Sequence, residues 1–388
     1  MNPFSSALVA CVLCSGPLAN AAKSEVEVIV GAPVTEAVSE PFSIDFSADG
    51  TLYGVEFTKS NRVFRLQKGK LEFIAGEPHV SDEKNTPEEV RDGSEPLKAV
   101  FKGMHDLRLT ADGWALIADS FHNRVRRLDL TSGRVSTVAG TGKGGYAGDG
   151  GPATAATFSV AMTVSLSTDR RSLLVADVGN SRVRSINLST GIISTVAGNG
   201  KKGLPVDDAP ALETPMGDAR AVTQAPDGTL YVLLRGGNSL VEVKNGKART
   251  VVNASGKKGY AGDGGLGRDA LMNGPKYVAM DNEGNVLICD TENHCVRRFV
   301  PKSGLIELIA GVPTKAGNTL GATWEETSLR RPHGVRAGAE GRLYIADTYN
   351  NRVLSGVYQP LVMAPRVQAT PVPPKAGPTL EFKPELKK

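Results

Sequence analysis

The chain has 388 residues, of which 45 are Lys or Arg and 41 are Asp or Glu, so its formal charge at pH 7 is only +4. This balance excludes the dense basic face that nucleic-acid-binding proteins present. The 44 glycines and 23 prolines are typical of a fold with many tight turns.

The N-terminal residues 1–21 have the features of an export signal. Residues 7–14 are apolar, and Ala19-Asn20-Ala21 fits the small-x-small rule for signal cleavage. Alternatively, Leu8-Val9-Ala10 is similar to the lipobox that precedes a lipid-modified cysteine, which would be Cys11. Either interpretation predicts an extracytoplasmic protein, periplasmic or secreted. No later segment reaches the ~18 apolar residues of a membrane span, so no transmembrane segment is expected.

Downstream, one pattern recurs six times: an apolar strand, an acidic or polar turn and a basic strand. The turn residues are separated by 63, 58, 58, 55 and 57 residues, and they are Glu56, Asp119, Asp177, Arg235, Asp290 and Asp347. Each unit has the pattern of four short strands, which in the second unit cover residues 105–110, 114–118, 124–128 and 134–139. Six such repeats predict an all-β fold, a six-bladed β-propeller with four-stranded blades.

The sixth unit lacks its outer strand, because the sequence after Val357 becomes rich in proline. Residues 26–31 have the pattern of the missing strand, similar to residues 136–140. We therefore predict that the N-terminal strand completes the last blade, which removes two exposed sheet edges. Residues 22–358 then form one monomeric propeller, and residues 359–388 form a flexible tail rich in Pro and Lys.

The turn motif begins with Ala-Asp and ends with Arg-Val, as at residues 118–125, 176–183 and 346–353. In this motif the chain resembles the NHL-repeat β-propellers, of the bacterial secreted type, over residues 26–358. The resemblance implies that the motif Asp and Arg are structural. An Arg fork can bridge a carboxylate and the turn carbonyls. The residues expected to brace the blade turns are Asp119, Arg124, Asp177, Arg182, Asp290, Asp347 and Arg352.

A second repeat, a glycine-rich loop, lies between blades at residues 145–153 and 259–267. Aligning these loops with the degenerate copies between other blades places an Asp at the same position in each. These residues are Asp92, Asp149, Asp207 and Asp263. Calcium binding is conceivable because carboxylates and carbonyls are suitable ligands. Each loop has one carboxylate, however, which favours a loop packed on itself with Tyr146 or Tyr260 as its plug.

The fifth unit has two cysteines, Cys289 and Cys295, on either side of its turn. An oxidising compartment would permit a disulfide between them. The alternative is that both are small buried apolar residues. One Cys pair and one His fall short of the four ligands of a structural zinc site.

The residues that begin the inner strands are expected to surround the mouth of the central channel. Alignment of the six units places there Phe42, His105, Met162, Arg220, Lys276 and His333, which we call the mouth ring. Arg220 and Lys276 would supply positive charge and His105 and His333 neutral or pH-tunable donors. These four residues form the predicted ligand-binding site. The alternative is that they reach solvent or pair with acids such as Asp106 and Asp218.

A comparison with peptidyl-hydroxyglycine lyase, a six-bladed enzyme of NHL type, tests for catalysis. The resemblance would place zinc-binding His residues at this position on alternate blades, here His105, Arg220 and His333, and an Arg cannot donate a lone pair to a metal. The Glu, Asn and Asp set of gluconolactonase-like propellers is not evident either. We therefore predict no catalytic residue and no cofactor, with zinc or calcium as disfavoured alternatives.

The function predicted from the sequence is that of an exported scaffold. It would bind a protein or a small polar or anionic ligand through its channel face, and no nucleic acid. The alternative is an extracytoplasmic lyase or lactonase.

Overall fold

Six antiparallel sheets make up the chain over the residues that the computed structural model describes, 26–80 and 91–358. The sheets are the blades of a β-propeller, so the predicted all-β, six-bladed architecture is confirmed. In the described part of the chain the only helices are 3-10 helices of three residues, and none is long and apolar enough to cross a membrane. The predicted export signal and C-terminal tail lie outside the described residues.

In blades 1 to 3 the strands follow one another in sequence from the inner to the outer position. The first strand in the chain is β1 (Glu27–Val30). Blade 1 consists of β2 (Pro41–Phe46), β3 (Leu52–Glu56), β4 (Val63–Gln67) and β5 (Lys70–Ala75). Blade 2 consists of β6 (Met104–Leu109), β7 (Trp114–Asp119), β8 (Arg124–Asp129) and β9 (Val135–Ala139). Blade 3 consists of β10 (Ala161–Leu166), β11 (Ser172–Asp177), β12 (Arg182–Asn187) and β13 (Ile193–Ala197).

Two of the remaining blades carry a short fifth strand at their outer edge. Blade 4 consists of β14 (Ala209–Pro210), which is this extra strand, β15 (Ala219–Gln224), β16 (Leu230–Leu234), β17 (Ser239–Lys244) and β18 (Lys247–Val252). Blade 5 consists of the extra β19 (Gly265–Leu266), β20 (Tyr277–Met280), β21 (Val286–Asp290), β22 (Cys295–Val300) and β23 (Leu305–Ala310). Blade 6 consists of β24 (Gly334–Ala337), β25 (Arg342–Asp347), β26 (Arg352–Val357) and β1.

The short 3-10 helices occupy three kinds of connection: between the second and third strands of a blade, between blades, and, for Ala339–Gly341 alone among the described residues, between the first and second strands. Those between the second and third strands of a blade are Ser120–His122, Val178–Asn180, Thr291–Asn293 and Thr348–Asn350. The others are Pro96–Lys98, Ala153–Ala155, Gly267–Asp269 and Ala339–Gly341.

The predicted closure of the ring is confirmed. β1 pairs antiparallel with β26, with Glu27 opposite Ser355 and Val28 opposite Leu354. Val30 is fully buried where β1 joins the sheet. The first and last strands of the propeller therefore share one blade, and the ring has no open seam.

The core lies between neighbouring blades. One buried cluster joins Val55 of blade 1 to Leu107 of blade 2, and another joins Val125 of blade 2 to Val164 of blade 3. Second strands such as β21 are buried at every residue because both of their faces pack against a neighbour. This packing holds the inner strands around the central channel.

In three blades the buried turn carboxylate is braced by an Arg two residues after the motif position, which in blades 2 and 3 is a different Arg from the predicted Arg124 and Arg182. These pairs are Arg126–Asp119, Arg184–Asp177 and Arg297–Asp290, at 3.0, 3.4 and 3.6 Å. Arg124 and Arg182 instead donate to the loop carbonyls of Thr141 and Asn199. Residues two apart share one face of a strand, so the second Arg can replace the first. In blade 6 that second position is Leu354, and Arg352 itself contacts Asp347 at 2.7 Å.

The glycine-rich loops fold on themselves through their single acid. Tyr146 donates to Asp149 at 2.8 Å, and Arg184 contacts the same carboxylate at 2.7 Å. The other loop acids also pair with Arg, as Asp92–Arg126, Asp207–Arg268 and Asp263–Arg297. Each carboxylate thus already has a cationic partner, and the loop packs as a closed unit.

The possible disulfide is not formed, and Cys289 and Cys295 are both free, buried thiols, as the alternative interpretation expected. Cys289 lies opposite Val296, and Cys295 lies opposite Asp290. Because side chains alternate along a strand, this register points the two thiols to opposite faces of the sheet. A disulfide needs Cβ atoms that face each other.

Candidate functional site

A left-handed residue precedes every mouth-ring position by two. The six residues have φ between 49° and 62°, and they are Glu40, Gly103, Val160, Asp218, Gly274 and Arg331. Such values are sterically costly for residues other than glycine, above all for the β-branched Val160. The fold therefore holds the same sharp entry into each inner strand, and this entry fixes where each ring side chain begins.

The turn of the preceding blade holds this entry in place. In five blades the backbone N–H of the left-handed residue donates to a side chain of that turn, at 2.7–3.1 Å. These bonds run from Glu40 to Asn351, Gly103 to Asn61, Val160 to Asn123, Gly274 to Asn238 and Arg331 to His294. The polar residue just before the motif Arg position, a position occupied by Ser239 in blade 4 and Cys295 in blade 5, therefore positions the mouth ring of the next blade, a role that the sequence did not reveal.

The structure brings the mouth ring together as the alignment predicts. The Phe42 ring lies 4.9 Å from the His105 ring and 4.0 Å from the His333 ring. Lys276 Nζ lies 3.3 Å from His333 Nε2, and Arg220 Nη1 contacts the Met162 sulfur. These contacts link the ring positions of all six blades into two adjoining groups.

The two ring histidines are neutral acceptors. His105 Nδ1 donates to the Gly103 carbonyl at 2.8 Å, and His333 Nδ1 donates to the Arg331 carbonyl at 2.7 Å. Burial lowers the pKa of both imidazoles well below the usual range, and the charges of Arg220 and Lys276 lower it further. With the proton on Nδ1, each Nε2 carries a lone pair, and that of His333 accepts from Lys276.

Arg220 is a buried cation without a carboxylate partner among the described residues. Its side chain is only 6% exposed, and its Nε has no hydrogen-bond partner. Of the two acids that the sequence offered, Asp218 lies 3.8 Å from Arg235, and Asp106 binds Arg108 at 2.7 Å. Burial, aided by the charge of Arg235, lowers the pKa of Arg220 to about 10. The guanidinium is therefore charged at neutral pH, and it forms no salt bridge within the described residues, although the nearby Asp218 charge opposes the lowering of its pKa.

Lys276, by contrast, forms a salt bridge with a carboxylate. Its Nζ lies 3.0 Å from Glu292, which also binds Arg331 at 2.6 Å. Burial nevertheless lowers the pKa of Lys276 to about 8, against the opposing effect of Glu292. The alternative in which mouth cations pair with nearby acids thus describes Lys276, though not Arg220.

A buried polar network closes the channel beneath the ring. Asp106 accepts hydrogen bonds from Ser43 at 2.6 Å and from Tyr277 at 3.2 Å, and Arg108 Nη2 donates to the Tyr277 hydroxyl at 2.6 Å. Ser43, Asp106 and Tyr277 each follow a mouth-ring residue directly in sequence. Their hydrogen bonds connect blades 1, 2 and 5 across the channel axis, directly beneath the mouth ring.

An outer layer of half-buried side chains surrounds the mouth, and the sequence analysis missed it. Phe121, Glu292 and Tyr349 each stand two residues after a turn acid, so aligning that position would have revealed them. Phe121 lies over Gly103 and Glu292 over Gly274, where a Cβ would approach these side chains to 2.5 and 2.6 Å. Because these two positions are glycines, the side chains of Phe121 and Glu292 can pack against the backbone at the mouth.

An open cavity adjoins the cationic part of the mouth. Its volume is about 470 Å³, and its lining residues are Asp218, Arg235, Gly236, Asn238, Lys258, Asn273, Gly274 and Glu292. Glu292 also contacts Lys276, so the cavity borders the ring. A ligand at the mouth would therefore have room beside the ring in blades 4 and 5.

The donors at the mouth suit an anion better than a metal ion. Over the described residues, no three side chains of the His, Cys, Asp and Glu types are grouped closely enough to hold a metal. The third alternate-blade position is the cation Arg220, and the lone pair of His333 is taken up by Lys276. Positive charge with bidentate donors is what carboxylates and phosphates require.

Comparison with known proteins identifies NHL repeats in the chain and distant relatives that share them. The model of the NHL repeat matches residues 272–299 and 329–354. Protein SUPPRESSOR OF QUENCHING 1, chloroplastic, of Arabidopsis thaliana is 23% identical over 246 residues, which cover 61% of this chain and 23% of that protein. NHL repeat-containing protein 2 of Bos taurus is 25% identical over 266 residues, which cover 61% of this chain and 36% of that protein. The chain therefore corresponds to about a third or less of these relatives.

Solved structures share the fold at low sequence identity. An auxiliary nutrient binding protein from Bacteroides ovatus is 14% identical, with a TM-score of 0.61 over 87% of this chain and 77% of that one. A catalytically inactive virginiamycin B lyase from Staphylococcus aureus, solved with quinupristin, is 11% identical, with a TM-score of 0.51 over 86% and 99% of the two chains.

The repeated Ala-Asp turn, the six closed blades and the matching repeat model agree with one another. The chain is a six-bladed β-propeller that carries NHL repeats at residues 272–299 and 329–354.

Proposed function

We propose that this propeller is an exported, non-catalytic scaffold that binds an anionic ligand at its channel mouth. The observation that carries the proposal is Arg220, a buried guanidinium whose Nε has no hydrogen-bond partner and which forms no salt bridge within the described chain. Burying an unpaired charge costs roughly several kcal/mol of desolvation free energy, so folded proteins seldom bury one that has no function. An incoming carboxylate or phosphate would supply the missing partner.

The stability of the free protein tests this interpretation directly. Arg220→Met removes the buried charge and keeps an apolar side chain beside Met162, so the free energy of unfolding should rise. The same variant should lose at least about tenfold in affinity for small anions such as acetate, sulfate and phosphate, measured by calorimetry. Arg134→Met is the matched control, because Arg134 is exposed and lies between β8 and β9, at the end of the blade opposite the mouth. Destabilisation in Arg220→Met together with unchanged anion binding would contradict the proposal.

Export is the second part of the proposal, and it rests on the apolar segment at residues 7–14 and the cleavage pattern at residues 19–21. Fusing residues 1–30 to a reporter enzyme that is active only outside the cytoplasm should give activity. Replacing Cys11 with Ser should leave the fusion soluble if the segment is a cleaved signal. Membrane attachment that disappears in this variant would instead indicate a lipoprotein.

One observation favours the alternative function of a lyase or lactonase. His105 Nε2 accepts no hydrogen bond from the described residues, so this ring nitrogen could bind a metal or a reacting group. Metal analysis of the purified protein separates the two functions. Stoichiometric zinc or calcium that is lost when both His105 and His333 are replaced by Ala would support the enzyme and overturn the scaffold.

A further inference from the structure

The mouth is divided into an aromatic side and a cationic side. The aromatic side comprises Phe42, Phe57, His105, Phe121, His333 and Tyr349 of blades 6, 1 and 2. Their rings form a continuous set, with Phe42–Phe57 at 4.5 Å, Phe57–His105 at 4.6 Å, His105–Phe121 at 5.6 Å and His333–Tyr349 at 5.9 Å. The cationic side comprises Arg220, Lys276, Arg235 and Arg331 of blades 4 to 6, with only Glu292 and Asp218 as paired acids.

The two sides differ in depth as well as in chemistry. Phe57, Phe121 and Tyr349 are half-buried and open to solvent at the surface of the mouth. Arg220 is deeply buried, with only 6% of its surface exposed. A ligand can therefore rest a flat body on the outer rings, while only a small terminal group reaches the guanidinium.

The sides meet at two residues. His333 lies between the Phe42 ring, at 4.0 Å, and Lys276 Nζ, at 3.3 Å. Arg331 lies over the Tyr349 ring at 4.8 Å and binds Glu292, and its buried Nε has no hydrogen-bond partner. One molecule of modest size could thus contact both sides at once.

We propose that the ligand is a small carboxylate attached to an aromatic ring, with the ring on the aromatic side and the carboxylate on Arg220. This inference rests on the proposed function and narrows its ligand class. A planar carboxylate matches the fork of a guanidinium, and an aromatic ring prefers to stack or pack edge-on against other rings. The neutral imidazole of His105, with its Nε2 lone pair, adds an acceptor for a hydroxyl or amine on the same ligand.

Three probes of related shape test the proposal by calorimetry: 3-phenylpropionate, propionate and 3-phenylpropanol. The wild-type protein should bind 3-phenylpropionate at least about tenfold more tightly than either of the other two, because each lacks one of the two contacts. Phe121→Ala should reduce the preference for phenylpropionate over propionate and leave propionate binding unchanged. Arg220→Gln should abolish the preference for phenylpropionate over phenylpropanol.

The outcomes distinguish this inference from the proposed function. If propionate and phenylpropionate bind equally well and Arg220→Gln weakens both, the mouth binds anions without using its rings, and only the further inference is overturned. If neither carboxylate binds but sulfate or phosphate does, only the further inference is overturned; if none of these anions binds, both proposals are overturned. Tyr349→Ala serves as a second aromatic-side variant, so that a folding defect in Phe121→Ala, seen as a lowered melting temperature, does not decide the result.

Discussion

Lys276 Nζ donates a hydrogen bond across 3.3 Å to His333 Nε2 while it pairs with Glu292 at 3.0 Å. The contact joins two ring positions that the sequence analysis treats as independent donors. It keeps His333 neutral and leaves the charge of the pair on the lysine. The electrostatics of the mouth near neutral pH are therefore set by the lysine rather than by the imidazole.

The first prediction concerns the pH dependence of anion binding. The pKa of Lys276 is lowered to about 8 by burial, so its charge is present below pH 8 and is lost as the pH rises through that value. Affinity for 3-phenylpropionate, whose own charge is constant in this range, should fall between pH 7 and pH 9. Calorimetric titrations of Lys276→Met should show a lower affinity that hardly changes with pH. Lys258→Met, at the adjoining cavity, should keep the wild-type slope, and an unchanged slope in Lys276→Met would argue against this assignment.

The second prediction concerns closure of the ring by β1. Val30→Asp places a carboxylate at a fully buried position, and we expect it to lower the free energy of unfolding by about 3 kcal/mol or more. Glu27→Gln, on the same strand, removes only an exposed contact with Arg342 and should cost below about 1 kcal/mol. Urea denaturation followed by fluorescence measures both. Equal midpoints for the two variants would show that β1 does not hold the ring.

The third prediction concerns the glycine-rich loop. Asp149→Asn leaves the fully buried Arg184 guanidinium with a weaker partner, and because the carboxylate is 33% exposed we expect a loss of about 2 kcal/mol. Asp227→Asn breaks an exposed pair with Lys244 and should change the free energy of unfolding by less than about 1 kcal/mol. Adding calcium should not raise the melting temperature of the wild type. A calcium-dependent rise that Asp149→Asn abolishes would mean that the loop is a calcium site.

The fourth prediction concerns Cys289 and Cys295. Burial raises the pKa of both thiols well above the usual range, so both should resist alkylation in the native protein. In denaturant without reductant, the tryptic peptide of residues 277–297 should gain two labels, as mass spectrometry would show. A peptide two mass units lighter that takes up no label would instead indicate a disulfide and a different register of the β21–β22 hairpin.

Much of the fold could be predicted from the sequence, because each blade repeats the same alternation of apolar and polar residues. The position of the mouth ring could be predicted for the same reason, since alignment transfers one strand start to all six blades. The partners of the ring residues could not. Whether Arg220 or Lys276 forms a salt bridge depends on the directions of the Asp218 and Glu292 side chains. Those directions are set by contacts between blades.

The same limit explains the differences at the turns. Arg124 and Arg126 lie on one face of β8, and the sequence alone cannot say which of them reaches Asp119. Of the two alternatives left open for Cys289 and Cys295, the structure shows two buried thiols, because the hairpin register directs them to opposite sides of the sheet. Register shifts by one residue reverse a side chain's direction, and sequence patterns rarely fix it near a turn.

The pairing of Glu27 with Ser355 also determines when the protein can finish folding. A ribosome or a translocation pore releases β1 first and β26 last, so blade 6 must wait for nearly the entire propeller. Contacts of such long sequence separation form slowly. The early blades therefore exist for a time as an open arc with exposed edges, and a chaperone that shields strand edges would act during this interval.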